Sequence, residues 1–466
     1  MEALRQRVTD AGHGHVFEGF DELNDEQRTL LTSQLEDIDF NYVNKIFVAS
    51  MEGAKEAAKP AEPITDVMML AATTDDKRAL YRATGLQMIA EGKLGLLLLS
   101  GGQGTRLGSS APKGCYNIGL PSGKSLFQLQ SERVLRLQRL AVAANPDVPA
   151  PKPIRWYIMT SHATDEPTRT FFKENSFFGL DPTQVVFFSQ GMLPALTEDG
   201  RVIVEAPGKL ALAPDGNGGV YTALRSAKIL DDMAEHGIEA VDCYSVDNAL
   251  VRLGDPVFAG FCKEGGIQCG ARVVAKAYAE EKVGVFARRG GGMEVVEYSE
   301  LEPAEASAAD PDTGFLRYNW SNVCLHYFER RWLEMVADRL AAEGKYHVAK
   351  KQIPSIHGKV PGVKLELFIF DTFSMAEKTA LMEVKRTEEF APVKNAPGSD
   401  IDSPDTARAA ILKLHRQWIE AAGGQVEGED GVEISPIVSY AGEGLEWAQG
   451  RKFRGPDCSE LQIQRE

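Results

Sequence analysis

Two rhythms of apolar and polar positions alternate along the chain. Residues 94–100 (LGLLLLS) form a short apolar run that stops at glycines, the pattern of a strand buried on both faces of a parallel sheet. Residues 154–161 (IRWYIMTS), 185–190 (VVFFSQ) and 240–248 (AVDCYSVDN) repeat it. Between them lie segments with helical spacing, at 125–141 and 220–237. Repeated strand–helix alternation predicts an α/β, Rossmann-like domain with a mixed, mainly parallel sheet. Ahead of it, residues 24–36 read as a helix, with Asn24 as N-cap and Gln27 closing a capping box. Two prolines mark residues 55–75 as a connector. Past residue 270 the pattern is mixed, with strand-like GVFAR and MEVVEY. Near 400 it changes again: Ser403 and Pro404 suit N-cap and N1 of a helix to about Ala421, and Gly423 suits its stop. The remainder to about 444 is strand-and-turn material. The expected division is an N-terminal helical segment (1–65), a catalytic domain (66–395) and a small C-terminal α+β domain (396–466).

Composition changes this picture little. The chain has 466 residues, 43% hydrophobic and 25% charged, as in ordinary soluble globular proteins. Its formal charge is 51 − 67 = −16, which argues against nucleic acid or an anionic membrane as partner, since both require a basic footprint. The six cysteines contain no C-x-x-C pair and read as free thiols in a reducing compartment. The N-terminal MEALRQRVTDAG has early acids and no apolar core for a secretory signal, so a cytoplasmic protein is expected.

The chemistry concentrates after the first apolar strand. Gly101-Gly102-Gln103-Gly104-Thr105-Arg106-Leu107-Gly108 is followed by Pro112-Lys113. A glycine-rich loop at a strand end lets backbone N–H groups approach phosphate or a base edge. Familiar alternatives fail in detail. The dinucleotide fingerprint needs glycine where Leu107 stands, and a P-loop ending at Ser125 needs glycine where Ile118 stands. A nucleophile elbow would need glycine at Pro112. The eight histidines do not cluster as metal ligands. Two cations seven residues apart on a hinged loop suit the charge neutralisation of nucleotidyl transfer, which needs no protein nucleophile.

This loop resembles that of eukaryotic-type UDP-N-acetylhexosamine pyrophosphorylases. The likeness continues in order through SQGMLPAL (189–196), APDGNGGVYTAL (213–224), YSVDNALVRLGDP (244–256), NWSNVCLHYF (319–328), LELFIFDTF (365–373) and EEFAPVKNA (388–396). It implies a reversible, Mg2+-dependent reaction of UTP with N-acetylglucosamine 1-phosphate, giving UDP-N-acetylglucosamine and pyrophosphate. It also implies roles. Gly101, Gly102, Gln190 and Gly216 read uracil, and Asp247, beyond the end of an apolar strand, holds Mg2+ against the nucleotide phosphates. Arg106 and Lys113 meet the departing pyrophosphate, and Lys394 clamps the sugar phosphate. Asn217, Gly284, Glu297 and Asn322 line the sugar. Phe368 and Phe370, two apart in a strand-like run, either wall the N-acetyl methyl or belong to the core. No obligate protein partner is implied. A UDP-glucose or broad-range UDP-sugar enzyme is the alternative activity, and an inactive nucleotide-sugar-binding protein the alternative class.

Overall fold

The computed structural model describes residues 1–53, 60–344, 346–428 and 431–454. Part of the expected 55–75 connector and Cys458 lie outside the described residues. Packing divides the chain into two compact units, each discontinuous in sequence. The smaller comprises Met1–Lys59, Gln190–Ala227 and Met335–Thr372; the larger comprises Pro60–Ser189, Lys228–Glu334 and Phe373–Glu466.

The larger unit is built on an eleven-stranded sheet. Its strands are β1 (Glu62–Pro63), β2 (Val67–Met69), β3 (Leu94–Leu99), β4 (Trp156–Thr160), β5 (Val185–Ser189), β6 (Ala240–Ser245), β7 (Cys269–Ala275), β8 (Val285–Arg289), β9 (Gly292–Val296), β10 (Trp320–Glu329) and β11 (Thr379–Glu383). The main order is β2-β11-β7-β10-β6-β3-β4-β5, with β8 joining β10 and pairing with β1 and β9. Only the two pairings of β10 within this main path are antiparallel. The expected mixed, mainly parallel sheet is therefore present. All six residues of β3 are buried, as its unbroken apolar run requires. Residues of β3, β4 and β6 share a core with Phe127, Phe172 and Phe258 from the flanking helices.

Local signals in the sequence account for several helices. Ser125 accepts the Gln128 N–H and opens Leu126–Ala144. Ser403 and Thr406 form a capping box ahead of Pro404–Ala421, and Gly423 follows in a left-handed conformation (φ 84°). In the smaller unit the Asn24/Gln27 capping box opens Asp25–Asp37. That unit also holds helices Glu2–Asp10 and Phe40–Gly53 and an antiparallel hairpin of His347–Ser355 with Gly358–Glu366.

Two local expectations are corrected. The segment 220–237 forms two helices, Val220–Ser226 and Ile229–Glu235, separated at Lys228, whose φ of 57° no right-handed helix contains. Phe368 and Phe370 are not on a strand: the strand ends at Glu366, and a 3-10 turn occupies Ile369–Met375.

Candidate active site

Strands β3 and β6 are parallel neighbours, with Leu99 opposite Ser245. Their carboxyl ends therefore deliver the glycine loop and Asp247 side by side, where α/β sheets bind ligands. The loop is closed by its own hydrogen bonds. Gly104 N donates to Ala111 O at 3.0 Å, Lys113 N to Gly102 O at 3.1 Å, and Gln103 Nε2 to Ser110 O at 3.1 Å. Leu107 is buried among Ile118, Leu126, Leu250 and Val393 and anchors the loop from below. Its neighbour Arg106 is exposed, and the space before Gly102 is open.

Lys113 Nζ lies 3.9 Å from Asp247 Oδ2, with both side chains mostly buried. Segment 389–394 is fastened beside Asp247: Val393 N donates to Asp247 O at 2.9 Å, and Ala249 N to Ala391 O at 3.0 Å. Asn248, which is buried, joins the two stretches. Its Nδ2 donates to Glu389 O (2.7 Å), and its Oδ1 accepts from Ala391 N (3.0 Å) and Leu250 N (3.2 Å). Lys394 follows, its N–H donating to Asp402 O at 2.7 Å. Cys324 sits near Asp247 and Lys394; burial pushes its thiol up to about 12, so it is not a nucleophile. Burial likewise pushes Cys115 up to about 12.

Three expected sugar residues meet around β8 and β10. Gly284 and Glu297 flank the paired ends Val285 and Val296, and a Cβ on Gly284 would approach Glu297 Oε1 to 2.9 Å. Asn322 N donates to Gly284 O at 2.8 Å, while its Oδ1 accepts Cys324 N at 3.2 Å.

The other expected residues belong to the smaller unit. Gln190 Nε2 donates to Gly216 O (2.6 Å) and Asp215 Oδ1 (3.1 Å). Asn217 Oδ1 accepts Ile369 N at 3.0 Å. Leu367 N donates to Asp215 O and Gly218 N to Leu367 O, both at 2.8 Å, which ties the glycine-rich turn to the aromatic segment. Phe368 and Phe370 are half-buried, with rings stacked 5.2 Å apart, and His347 lies 4.8 Å from Phe368. Both rings are thus only partly covered.

Sequence reasoning passed over Asp215 and saw Asn248 only as the residue that follows Asp247. Each is buried and polar, and each is fixed by backbone partners distant in sequence. Asp242, at the start of β6, forms a buried ion pair with Arg272 (3.1 Å), which also binds Glu389 at 2.7 Å.

Among the described residues no three His, Cys, Asp or Glu side chains gather as a metal cage. The single carboxylate of Asp247, beside a lysine, is a donor set that fits Mg2+ sharing its coordination with substrate phosphates and water.

Residues 44–429 match the family model described as UTP–glucose-1-phosphate uridylyltransferase. UDP-N-acetylglucosamine diphosphorylase 2 of Arabidopsis thaliana is 52% identical, over 98% of this chain and 93% of the relative. UDP-N-acetylglucosamine pyrophosphorylase of Saccharomyces cerevisiae is 38% identical, over 97% of this chain and 98% of the relative. The crystal structure of uridine diphosphate N-acetylglucosamine pyrophosphorylase from Trypanosoma brucei, in complex with an inhibitor, superposes with a TM-score of 0.86 at 33% identity, covering 96% of this chain and 94% of that one.

Proposed function

The chain belongs to the UTP–glucose-1-phosphate uridylyltransferase family, and from that premise we infer its reaction: uridylyl passes from UTP to N-acetylglucosamine 1-phosphate, giving UDP-N-acetylglucosamine and pyrophosphate. The observation that carries the choice of sugar is 52% identity over nearly the whole chain to a UDP-N-acetylglucosamine diphosphorylase. The meeting of Lys113, Asp247 and the Lys394 segment at the ends of β3 and β6 supports a phosphate-transfer centre.

The mechanism is an in-line displacement. An oxygen of the sugar phosphate attacks the α-phosphorus of UTP and forms the new P–O bond. The bond from that phosphorus to the bridging oxygen breaks, and its electron pair leaves with pyrophosphate. The attacking oxygen is already ionised, so no protein base takes a proton. Arg106 and Lys113 stabilise the departing charge, and Lys394 orients the attacking phosphate. Gly101, Gly102, Gln190 and Gly216 read uracil. Asn217, Gly284, Glu297 and Asn322 bind the sugar, with Phe368 and Phe370 against its N-acetyl methyl. Asp247 would hold Mg2+, which when bound would neutralise phosphate charge. The reaction takes place in the cytoplasm.

A panel of sugar 1-phosphates with UTP and Mg2+, followed by pyrophosphate release, tests this reading. N-acetylglucosamine 1-phosphate should exceed glucose 1-phosphate in kcat/KM by about tenfold or more. Equal use of both would make the enzyme a broad-range one, and no turnover with any would make it a binding protein.

A further inference from the structure

Asp215 is a buried acid to which the mechanism gives no task. It is 4% exposed, and burial pushes its carboxyl up to about 6. At neutral pH it is still ionised, so it offers acceptors and no donor. Its Oδ1 takes the Gln190 Nε2–H at 3.1 Å, and Gly216 O takes the same group at 2.6 Å. Two glycines press closely on this carboxylate. A Cβ at Gly219 would overlap Asp215 Oδ1, and one at Gly191 would lie 2.7 Å from Oδ2. The backbone is pinned as well, since Asp215 O accepts Leu367 N at 2.8 Å.

A side-chain amide has two ends of nearly equal shape, and only its hydrogen-bond partners decide which way it points. A carboxylate and a carbonyl both reject the Oε1 end. Their joint effect is to turn the Gln190 NH2 inward and its carbonyl to the opposite side.

We propose that Asp215 tunes base choice: together with Gly216 O it holds the Gln190 amide so that Oε1 faces a base whose ring nitrogen carries a proton. This rests on the reading that Gln190 contacts the base. Uracil has a donor at N3, whereas cytosine has an acceptor at that atom, so a locked Oε1 accepts from the first and repels the second. Were the amide free to turn, its NH2 would serve cytosine equally well. Asp215 is a positioning residue, acting through Gln190 and touching no substrate.

The test is the ratio of kcat/KM for UTP to that for CTP, with N-acetylglucosamine 1-phosphate saturating. Asp215→Leu keeps the branched shape and removes the acceptors. It should lower the ratio by about tenfold or more, with part of the change a gain in CTP use. Asp215→Asn, which still offers an oxygen to Gln190, should keep the ratio within about threefold of the parent. If Asp215→Leu slowed UTP and CTP by the same factor, Asp215 would be structural only and the proposal would be overturned. Should Asp215→Leu not fold, as judged by thermal melting, Asp215→Ala is measured in its place. Gln190→Leu is the control for the underlying reading. An unchanged ratio there removes Gln190 from the base site, whereas a changed ratio there with an unchanged one in Asp215→Leu rejects the lock alone.

Discussion

In the proposed reaction three cations meet the phosphates, and they differ in where they sit. Lys113 sits 3.9 Å from Asp247 on the glycine loop, whereas Lys394 arrives on the segment fastened by Asn248. Losing any of them slows the reaction, but at different substrates. Lys394→Ala should mainly impair the sugar 1-phosphate in the forward direction and UDP-sugar in reverse. Lys113→Ala should mainly impair UTP forward and pyrophosphate in reverse. Each loss is expected at about 2–4 kcal/mol in kcat/KM, from a charge-assisted contact in a partly dry site. Steady-state kinetics in both directions would read this, and a rise in the KM for pyrophosphate in Lys394→Ala would reverse the assigned orientation. At this scale the sequence exposed the placement of residues marked by their neighbours: Lys113 on a glycine loop, and Asp247 beyond an apolar strand, which the fold brings together. Asp215 was silent because its importance lies in Gln190, 25 positions away, and the bracing role of Asn248 was hidden because Glu389 lies 141 positions on.

Among the elements, those with strong local chemistry were readable. The strand Leu94–Leu99 followed from an unbroken apolar run, and Pro404–Ala421 from Ser403, Pro404 and Gly423. That last helix also bears on the site. Asp402, one residue before its cap, accepts from both Lys394 N and Asn395 N, and the helix contributes Ile411 to the cluster beneath the glycine loop. Ser403 Oγ accepts Thr406 N, so Ser403→Ala should cost about 1 kcal/mol of unfolding free energy. Denaturant melts would measure it, and an unchanged midpoint would mean that the cap is dispensable. The break at Lys228 was not readable, because lysine gives no sign of a left-handed backbone. The 3-10 turn carrying Phe370 resembled a strand for a related reason: apolar spacing cannot separate a short strand from a turn packed on a core.

For the molecule as a whole, buried histidines set the response to acid. Burial pushes His326 and His415 down to about 3. Neither ring nitrogen of His326 has a hydrogen-bond partner among the described residues, and His415 Nδ1 accepts Ile434 N at 2.9 Å. Both therefore stay neutral in the fold, while an unfolded chain protonates them near 6.5. Below that value the unfolded state binds more protons, so stability is lost as pH falls from about 6.5 towards 3. At pH 5 the loss is about 2 kcal/mol for each histidine. Asp215 opposes it, since its raised carboxyl takes up a proton in the fold first. His415→Asn keeps an acceptor for Ile434 and cannot titrate. Its fall in denaturation free energy between pH 7 and pH 5 should be smaller than the parent's by about 2 kcal/mol, and an equal fall would acquit His415. The sheet and its parallel character were legible at this scale. The interleaving of the two units was not: the boundary after Lys59 lies in the proline-marked 55–75 connector, but nothing local announces that the chain returns to the smaller unit at Gln190 and Met335.

That interleaving also governs the order in which a growing chain can become complete. The smaller unit begins at Met1, but its third stretch ends only at Thr372, and the larger unit is interrupted twice before it finishes. At about 5–20 residues per second, the helices before residue 60 leave the ribosome roughly 15–60 s ahead of the hairpin they are to pack with. During that interval the helix Phe40–Gly53, which packs against His347–Ser355 in the finished protein, lacks that part of its cover. The nascent N-terminus is thus the stretch for which a holding chaperone has most to offer.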